Sequence, residues 1–216
     1  MNVGGRRGGD ELRSAVAHAA RRMSESGLSS GTSGNVSART EGGMLVTPSA
    51  VRYAQIGAGD IVLMDLEGRV LEGERKPTTE WPMHAALYGA RPDAGAVVHA
   101  HARFCTTLAT LRRDIPAFHY MVAVAGGDSI RCAAYATFGT PELAGHAVAA
   151  LEGRNACLLA NHGMVALGAS PDAALELAAE VESLAELYWR ALQVGEPVLL
   201  TDREMAEALE RFRDYR

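Results

Sequence analysis

Apolar and polar residues recur along this chain with two different periods, and each change of period marks a change of element. Leu12, Val16, Ala19, Ala20 and Met23 recur at helical spacing over residues 10–27, and Gly27 supplies the stop. Residues 28–39 read as a glycine-rich loop entering a strand, and 42–50 as a strand ending in a turn. Residues 60–73 form two strands about a tight turn at Glu67-Gly68. Thr78 or Thr79 can cap a helix over 80–90, where Pro82 is tolerated in the first turn. Residues 94–102 are apolar and β-branched, a buried strand, and 103–114 read as helical. Residues 117–127 read as a strand followed by a loop. Thr140-Pro141-Glu142 opens a helix to 153, and 155–168 is a strand pair broken at Asn161-His162-Gly163. Ser170-Pro171-Asp172 starts a long helix through about Gln193, and Thr201 starts the last one.

Strands and helices interleave without a repeat, a low-complexity block or a linker, and several strands follow in hairpin order. The pattern predicts a single α/β domain over residues 10–216, after a disordered tail over 1–9. Its three layers are α/β/α around a central mixed, largely antiparallel sheet. The 216 residues, 48% hydrophobic and 22% charged, suit one sizeable core and exclude a disordered composition. A net charge of −5 offers no electrostatic case for a nucleic-acid or membrane partner, although a small anion can still be held in a local pocket. Cys105, Cys132 and Cys157 form no CxxC pair and read as reduced thiols. With no apolar window long enough for a span and no apolar core near the start for a signal peptide, the expected location is cytoplasmic.

The chemistry gathers around the stretch AVVHAHARF, residues 96–104. On a strand, residues i and i+2 point to the same face, about 6.5–7 Å apart. His99 and His101 can therefore converge on one ion, whereas a helix would set them on opposite sides. Spacing alone also allows one buried core histidine beside an exposed one. His162, at the end of a second apolar strand, and Glu80, at the start of a helix, extend the pair to a set suited to Zn²⁺ or another divalent transition ion. Glu80 equally suits a first helical turn on electrostatic grounds, and Tyr120 a half-buried strand position. A generic metallohydrolase fits the same spacing, with Glu80 as the water-activating base.

The stretches GTSGNVSAR, MLVTPSA, KPTTEWPMH, RPDAGAVVHAHARFCTTLA, IPAFHYMVAVAGG, YATFGTPEL, LLANHGMVALG and EVESLAELYW run in order over nearly the whole chain. Together they resemble the class II aldolase/adducin family, and within it the branch that cleaves L-fuculose 1-phosphate. The resemblance implies a zinc-dependent homotetramer with active sites between subunits and one ion per subunit, held by His99, His101 and His162. Glu80 is implied as the acid/base group, able also to touch the metal. Thr32, Asn35, Ser49, Ala50, Thr78 and Thr79 are implied to hold the substrate phosphate. Tyr120 is implied as a proton donor supplied by a neighbouring subunit, and Phe138 and Tyr215 as shaping the aldehyde end. Ser49-Ala50 stands where that branch carries Thr-Gly, and Thr78-Thr79 where it carries a serine pair. The hydroxyl exchanges keep a donor at each position, and alanine is tolerable where only a backbone N–H is used.

The reaction so implied is reversible cleavage of a ketose 1-phosphate, L-fuculose 1-phosphate or a relative such as 5-deoxyribulose 1-phosphate, to dihydroxyacetone phosphate and a short aldehyde. Breaking the C3–C4 bond leaves an electron pair on C3 beside the C2 carbonyl. A lysine Schiff base is one way to stabilise it, but Lys76 is the sole lysine and sits beside a proline in a loop. A Lewis acid held by neutral imidazoles is the other. Relatives with other outcomes (pentulose-5-phosphate 4-epimerase, dehydratase, decarboxylase) and an adducin-like interaction module are the competing expectations. His84 and His119, near the site in sequence, are candidates to orient the ligands. His18 and His146 read as structural.

Overall fold

The structure, a computed structural model, describes residues 3–214, with side chains over 9–212. Among the described residues, eight strands form one sheet, β1 (Asn35–Thr40), β2 (Gly43–Val46), β3 (Val62–Met64), β4 (Val70–Glu72), β5 (Ala96–Ala100), β6 (Cys132–Ala133), β7 (Ala156–Leu159) and β8 (Gly163–Gly168). Their order is β4-β3-β2-β1-β5-β8-β7-β6, antiparallel throughout except for the parallel β6–β7 pair. The described residues also form six α-helices: α1 (Val3–Glu25), α2 (Trp81–Ala90), α3 (Arg103–Thr110), α4 (Pro141–Ala150), α5 (Pro171–Val194) and α6 (Asp202–Asp214). This is the expected three-layer arrangement with a mixed, largely antiparallel sheet.

Strand alternation separates two cores. Val36, Ala38, Val98, Ala100, Leu158 and Met164 pack on the side of α1, α3 and α5. Met44, Val46, Val97, Cys157, Leu159 and Val165 pack on the side of α2 and α4. His99, which pairs with Asn35 on β1 and Val165 on β8, therefore points to the α2 side. So does the polar series Asn35, Ser37 and Arg39 on β1. Arg39 donates to the carbonyls of Tyr88, Arg91 and Ala94, each at 2.8 Å, satisfying acceptors where α2 ends. Asn35 lies against the start of the same helix, so one strand face braces both ends of α2.

Three local expectations need correction. The α1 backbone is helical from Val3, within the segment expected as a tail; helical hydrogen bonding needs no apolar face, whereas the periodicity that marked the start does. Met1 and Asn2 lie outside the described residues. Neither Thr78 nor Thr79 is the N-cap of α2: that position is Glu80, and the Thr78 hydroxyl instead accepts from the Glu80 N–H at 3.3 Å. Residues 120–125 are a 3₁₀ helix rather than a strand, capped by His119 accepting from the Met121 N–H at 3.2 Å and closed by Gly126 at φ 93°. The apolar run gains its burial by packing on α5 and α6 rather than by joining the sheet. The two-residue edge strand β6 carries too little pattern to be read. Thr140 and Ser170 do cap α4 and α5, accepting from the N–H groups of Leu143 and Ala173.

Helix α3 leaves the sheet immediately after His101, and its N-cap, Ala102, has no side chain able to accept. Glu182 of α5 does the work from outside, accepting from the N–H groups of Phe104 and Cys105, each at 2.9 Å. Glu182→Ala is expected to lower stability by about 1–2 kcal/mol and the unfolding midpoint by roughly 2–8 °C. Thermal unfolding measures it, with Glu182→Gln falling between.

Candidate active site

Four ligand atoms from Glu80, His99, His101 and His162 lie within 4.8 Å of one another. His99 and His101 come from the end of β5, one inside the strand and one just beyond it. His162 sits in the β7–β8 hairpin turn beside Asn161, which takes φ 54°, a left-handed conformation that asparagine accepts more readily than most residues. Glu80 arrives from the start of α2. Its carboxylate makes no capping bond to its own helix and turns inward instead. Oε2 lies 3.2 Å from His99 Nε2, Oε1 lies 3.4 Å from His162 Nε2, and His99 Nε2 lies 3.1 Å from His101 Nε2.

His99 Nδ1 donates to the Met164 carbonyl at 2.9 Å, which fixes the ring and turns Nε2 toward the cluster. Burial pushes the Glu80 carboxyl up, but the charge and hydrogen bond of His99, then His162 and the Asn35 amide, hold it well below the usual carboxylate range. Burial lowers His99 too, yet Glu80 and the Met164 carbonyl leave it raised overall. The cluster thus draws positive charge to the point between its ligand atoms. Burial, and then the charge of His99, lower His101 and His162 to about 4, so both are neutral donors near neutral pH. Glu80 Oε1 is buried without a hydrogen-bond partner among the described residues. A divalent cation fits this set: three imidazoles with one carboxylate, and a buried oxygen that accepts no hydrogen bond among the described residues.

The cluster opens into a cavity of about 480 Å³. Its walls include Thr32, Asn35, Ser49, Ala50, Thr78, Thr79 and Phe138, so the structure brings together all the expected binding residues it describes except Tyr120. Tyr215 lies outside the described residues. Ser33, Tyr135 and Asn161 also line the cavity and were not singled out in the sequence, although each lies within or beside a stretch that was. The Asn35 amide is committed inward, donating to Glu80 Oε2 at 2.9 Å and Thr78 Oγ1 at 3.2 Å. Gly34, at φ 75°, leaves no room for a side chain: a Cβ there would meet the His99 carbonyl at 2.7 Å. Tyr53, kept protonated by a pKa that burial pushes up to about 12, donates to the Gly34 carbonyl and pins the loop. Ala50 takes φ 59°, so the position asks for glycine's backbone freedom, beyond the bare N–H expected of it.

Tyr120 does not reach the cluster of its own chain. It is 54% exposed and lines a separate hollow with Met121, Ala208, Arg211 and Phe212. His119 caps the 3₁₀ helix rather than orienting a ligand. His84, by contrast, reaches Glu80 through Asn35, with its Nε2 2.5 Å from Asn35 Oδ1.

A sequence profile described as Class II Aldolase and Adducin N-terminal domain matches residues 14–189. A Rhodospirillum rubrum protein named 5-methylthioribulose-1-phosphate/5-deoxyribulose-1-phosphate aldolase is 55% identical over 204 residues, covering 94% of this chain and 92% of its own. The L-fuculose phosphate aldolase of Escherichia coli K12 is 50% identical over 194 residues, covering 89% and 90%. A solved structure named L-fuculose 1-phosphate aldolase superposes with a TM-score of 0.91 at 43% identity, covering 94% of this chain and 96% of its own. Among the described residues, no helix is long and apolar enough to cross a membrane.

Two measurements test the site. His99→Ala is expected to purify without the divalent ion that elemental analysis should find in the parent protein. In the metal-free protein, an NMR titration should find His101 and His162 taking up protons only as pH falls toward about 4. Protonation of both already near pH 6.5, the value of a free imidazole, would contradict the burial argument.

Proposed function

The chain belongs to the class II aldolase and adducin family, and on that premise we propose that it is a metal-dependent aldolase. It cleaves a ketose 1-phosphate reversibly to dihydroxyacetone phosphate and a short aldehyde. The relatives named for L-fuculose phosphate and 5-deoxyribulose 1-phosphate set the sugars to try first. The observation that carries the reading is the buried Oε1 of Glu80, without a hydrogen-bond partner among the described residues, set among three imidazole nitrogens at the end of a substrate-sized cavity.

His99, His101 and His162, with Glu80 beside them, would hold the ion, and zinc is the metal we assign from the nitrogen-rich ligand set. Its contribution is Lewis acidity next to the ketose carbonyl. In cleavage the C3–C4 bond breaks with its electron pair remaining on C3, the C4 hydroxyl gives up its proton, and C3 gains one. Glu80, ionised and held by Asn35, takes the C3 proton in the condensation direction and returns it in cleavage. Thr32, Asn35, Ser49, Ala50, Thr78 and Thr79 bind the phosphate with small hydroxyls and backbone N–H groups, which suit a dianion in a protein of negative net charge. The half-exposed Tyr120 serves the C4 oxygen of a neighbouring subunit in a cytoplasmic homotetramer. Phe138 and Tyr215 shape the aldehyde end.

The test is release of dihydroxyacetone phosphate, followed by coupled reduction, from L-fuculose 1-phosphate, L-rhamnulose 1-phosphate and 5-deoxyribulose 1-phosphate. Release is expected with at least one, abolished by a chelator and restored by Zn²⁺. Glu80→Gln should keep the ion and lose about 10²–10⁴-fold in turnover. No release from any of the three overturns the proposal.

A further inference from the structure

Behind the carboxylate that faces the cavity runs a line of buried polar side chains that the chemistry above leaves unused. Strand β1 contributes Asn35 and Ser37 to one face, and α2 returns His84 and Tyr88, four residues apart and so stacked on one helix face. His84 and Ser37 are fully buried in the layer that also holds Met83, Leu87 and Val97. Polar groups in such a layer are costly unless hydrogen-bonded, and these four are bonded in series. Ser37 Oγ lies 2.8 Å from the Tyr88 hydroxyl and 2.7 Å from His84 Nδ1. His84 Nε2 meets Asn35 Oδ1, and Asn35 Nδ2 meets Glu80 Oε2.

The direction of every link follows from its end. An ionised carboxylate only accepts, so Asn35 must present its NH₂ to Glu80 and its oxygen to His84. That oxygen requires a donor, which places the imidazole proton on Nε2. A neutral imidazole then has an acceptor at Nδ1, filled by the Ser37 hydroxyl, which in turn accepts from Tyr88. Burial, and then the charge of His99, lower His84 to about 3 against the pull of Glu80, so the ring carries a single proton near neutral pH. An amide has two nearly isosteric orientations, and the reversed one would set Oδ1 against the carboxylate.

We propose that His84 is a positioning residue for the cleavage reaction: its Nε2–H locks the Asn35 amide with Nδ2 toward Glu80, holding Oε2 and leaving Oε1 on the side of His162. The proposal rests on the reading of Glu80 as the group that moves the C3 proton. It differs from a packing role in depending on one N–H rather than on the volume of the ring.

The experiment uses the metal-loaded enzyme and follows kcat and KM for cleavage together with exchange of the C3 hydrogen of dihydroxyacetone phosphate into D₂O. The exchange needs no aldehyde and so reports on Glu80 without Tyr120. His84→Leu should lower kcat and exchange by about 10–100-fold, well beyond any rise in KM, with the metal content unchanged. His84→Gln, which can return an N–H to the place of Nε2, should recover most of the loss in both. Ser37→Ala, which frees the imidazole to shift its proton to Nδ1, should lower exchange to a smaller degree, and it carries the test if His84→Leu does not fold. Wild-type exchange in His84→Leu, equal loss in the Leu and Gln variants, or, where Leu does not fold, wild-type exchange in Ser37→Ala overturns the proposal. Glu80→Gln separates the two claims: if it exchanges as fast as wild type, the role of Glu80 falls, whereas slow exchange there beside wild-type exchange in His84→Leu removes His84 alone.

Discussion

A carboxylate buried among three imidazoles is the constraint on which the site depends. Glu80 is 8% exposed, and a charge taken that far out of water is unstable unless it is paired and hydrogen-bonded. The fold meets this from three directions. A strand end brings His99 and His101, a hairpin turn brings His162, and the first residue of β1 supplies an amide donor to Oε2. Oε1 is left with no hydrogen-bond partner among the described residues, with the His162 imidazole 3.4 Å away. That imbalance is what a divalent ion would relieve, and it lies at the inner end of the cavity.

The same economy shapes the opposite wall. The loop before β1 approaches the His99 carbonyl too closely for any side chain at Gly34, and Tyr53 fixes it there. Since Asn35 follows directly, the loop proposed to offer small hydroxyls to a phosphate and the amide that meets Glu80 are one continuous piece of chain. On the proposed roles, substrate anchoring and control of Glu80 are linked through the main chain. Tyr120 stands apart from this unit, exposed on a 3₁₀ helix beside α6.

What could be read in the sequence was what local periodicity controls. The two-residue strand period made His99 and His101 a convergent pair, and the break at Asn161-His162-Gly163 located a hairpin turn. The caps at Thr140 and Ser170 were legible because their partners lie three residues away. Interactions that close over longer separations were not. His84 stood out only as a neighbour of Glu80, because Ser37 and Asn35 sit 47 and 49 residues from it and meet it only once β1 lies under α2. Glu182 capping α3 across 77 and 78 residues is hidden for the same reason. Residues 117–127 misled because an apolar run without a period does not say whether it enters a sheet or packs beneath helices. Ala50 misled because a left-handed backbone leaves no mark when the residue is not glycine.

The most direct test of this account is anomalous diffraction from crystals of the zinc-loaded protein, recorded on both sides of the zinc edge. The account predicts one strong peak per chain at about 2.0–2.1 Å from the Nε2 atoms of His99, His101 and His162, on the side of Glu80 that carries Oε1. A fully loaded protein whose anomalous signal lies elsewhere, with these three nitrogens bound to no ion, would contradict it.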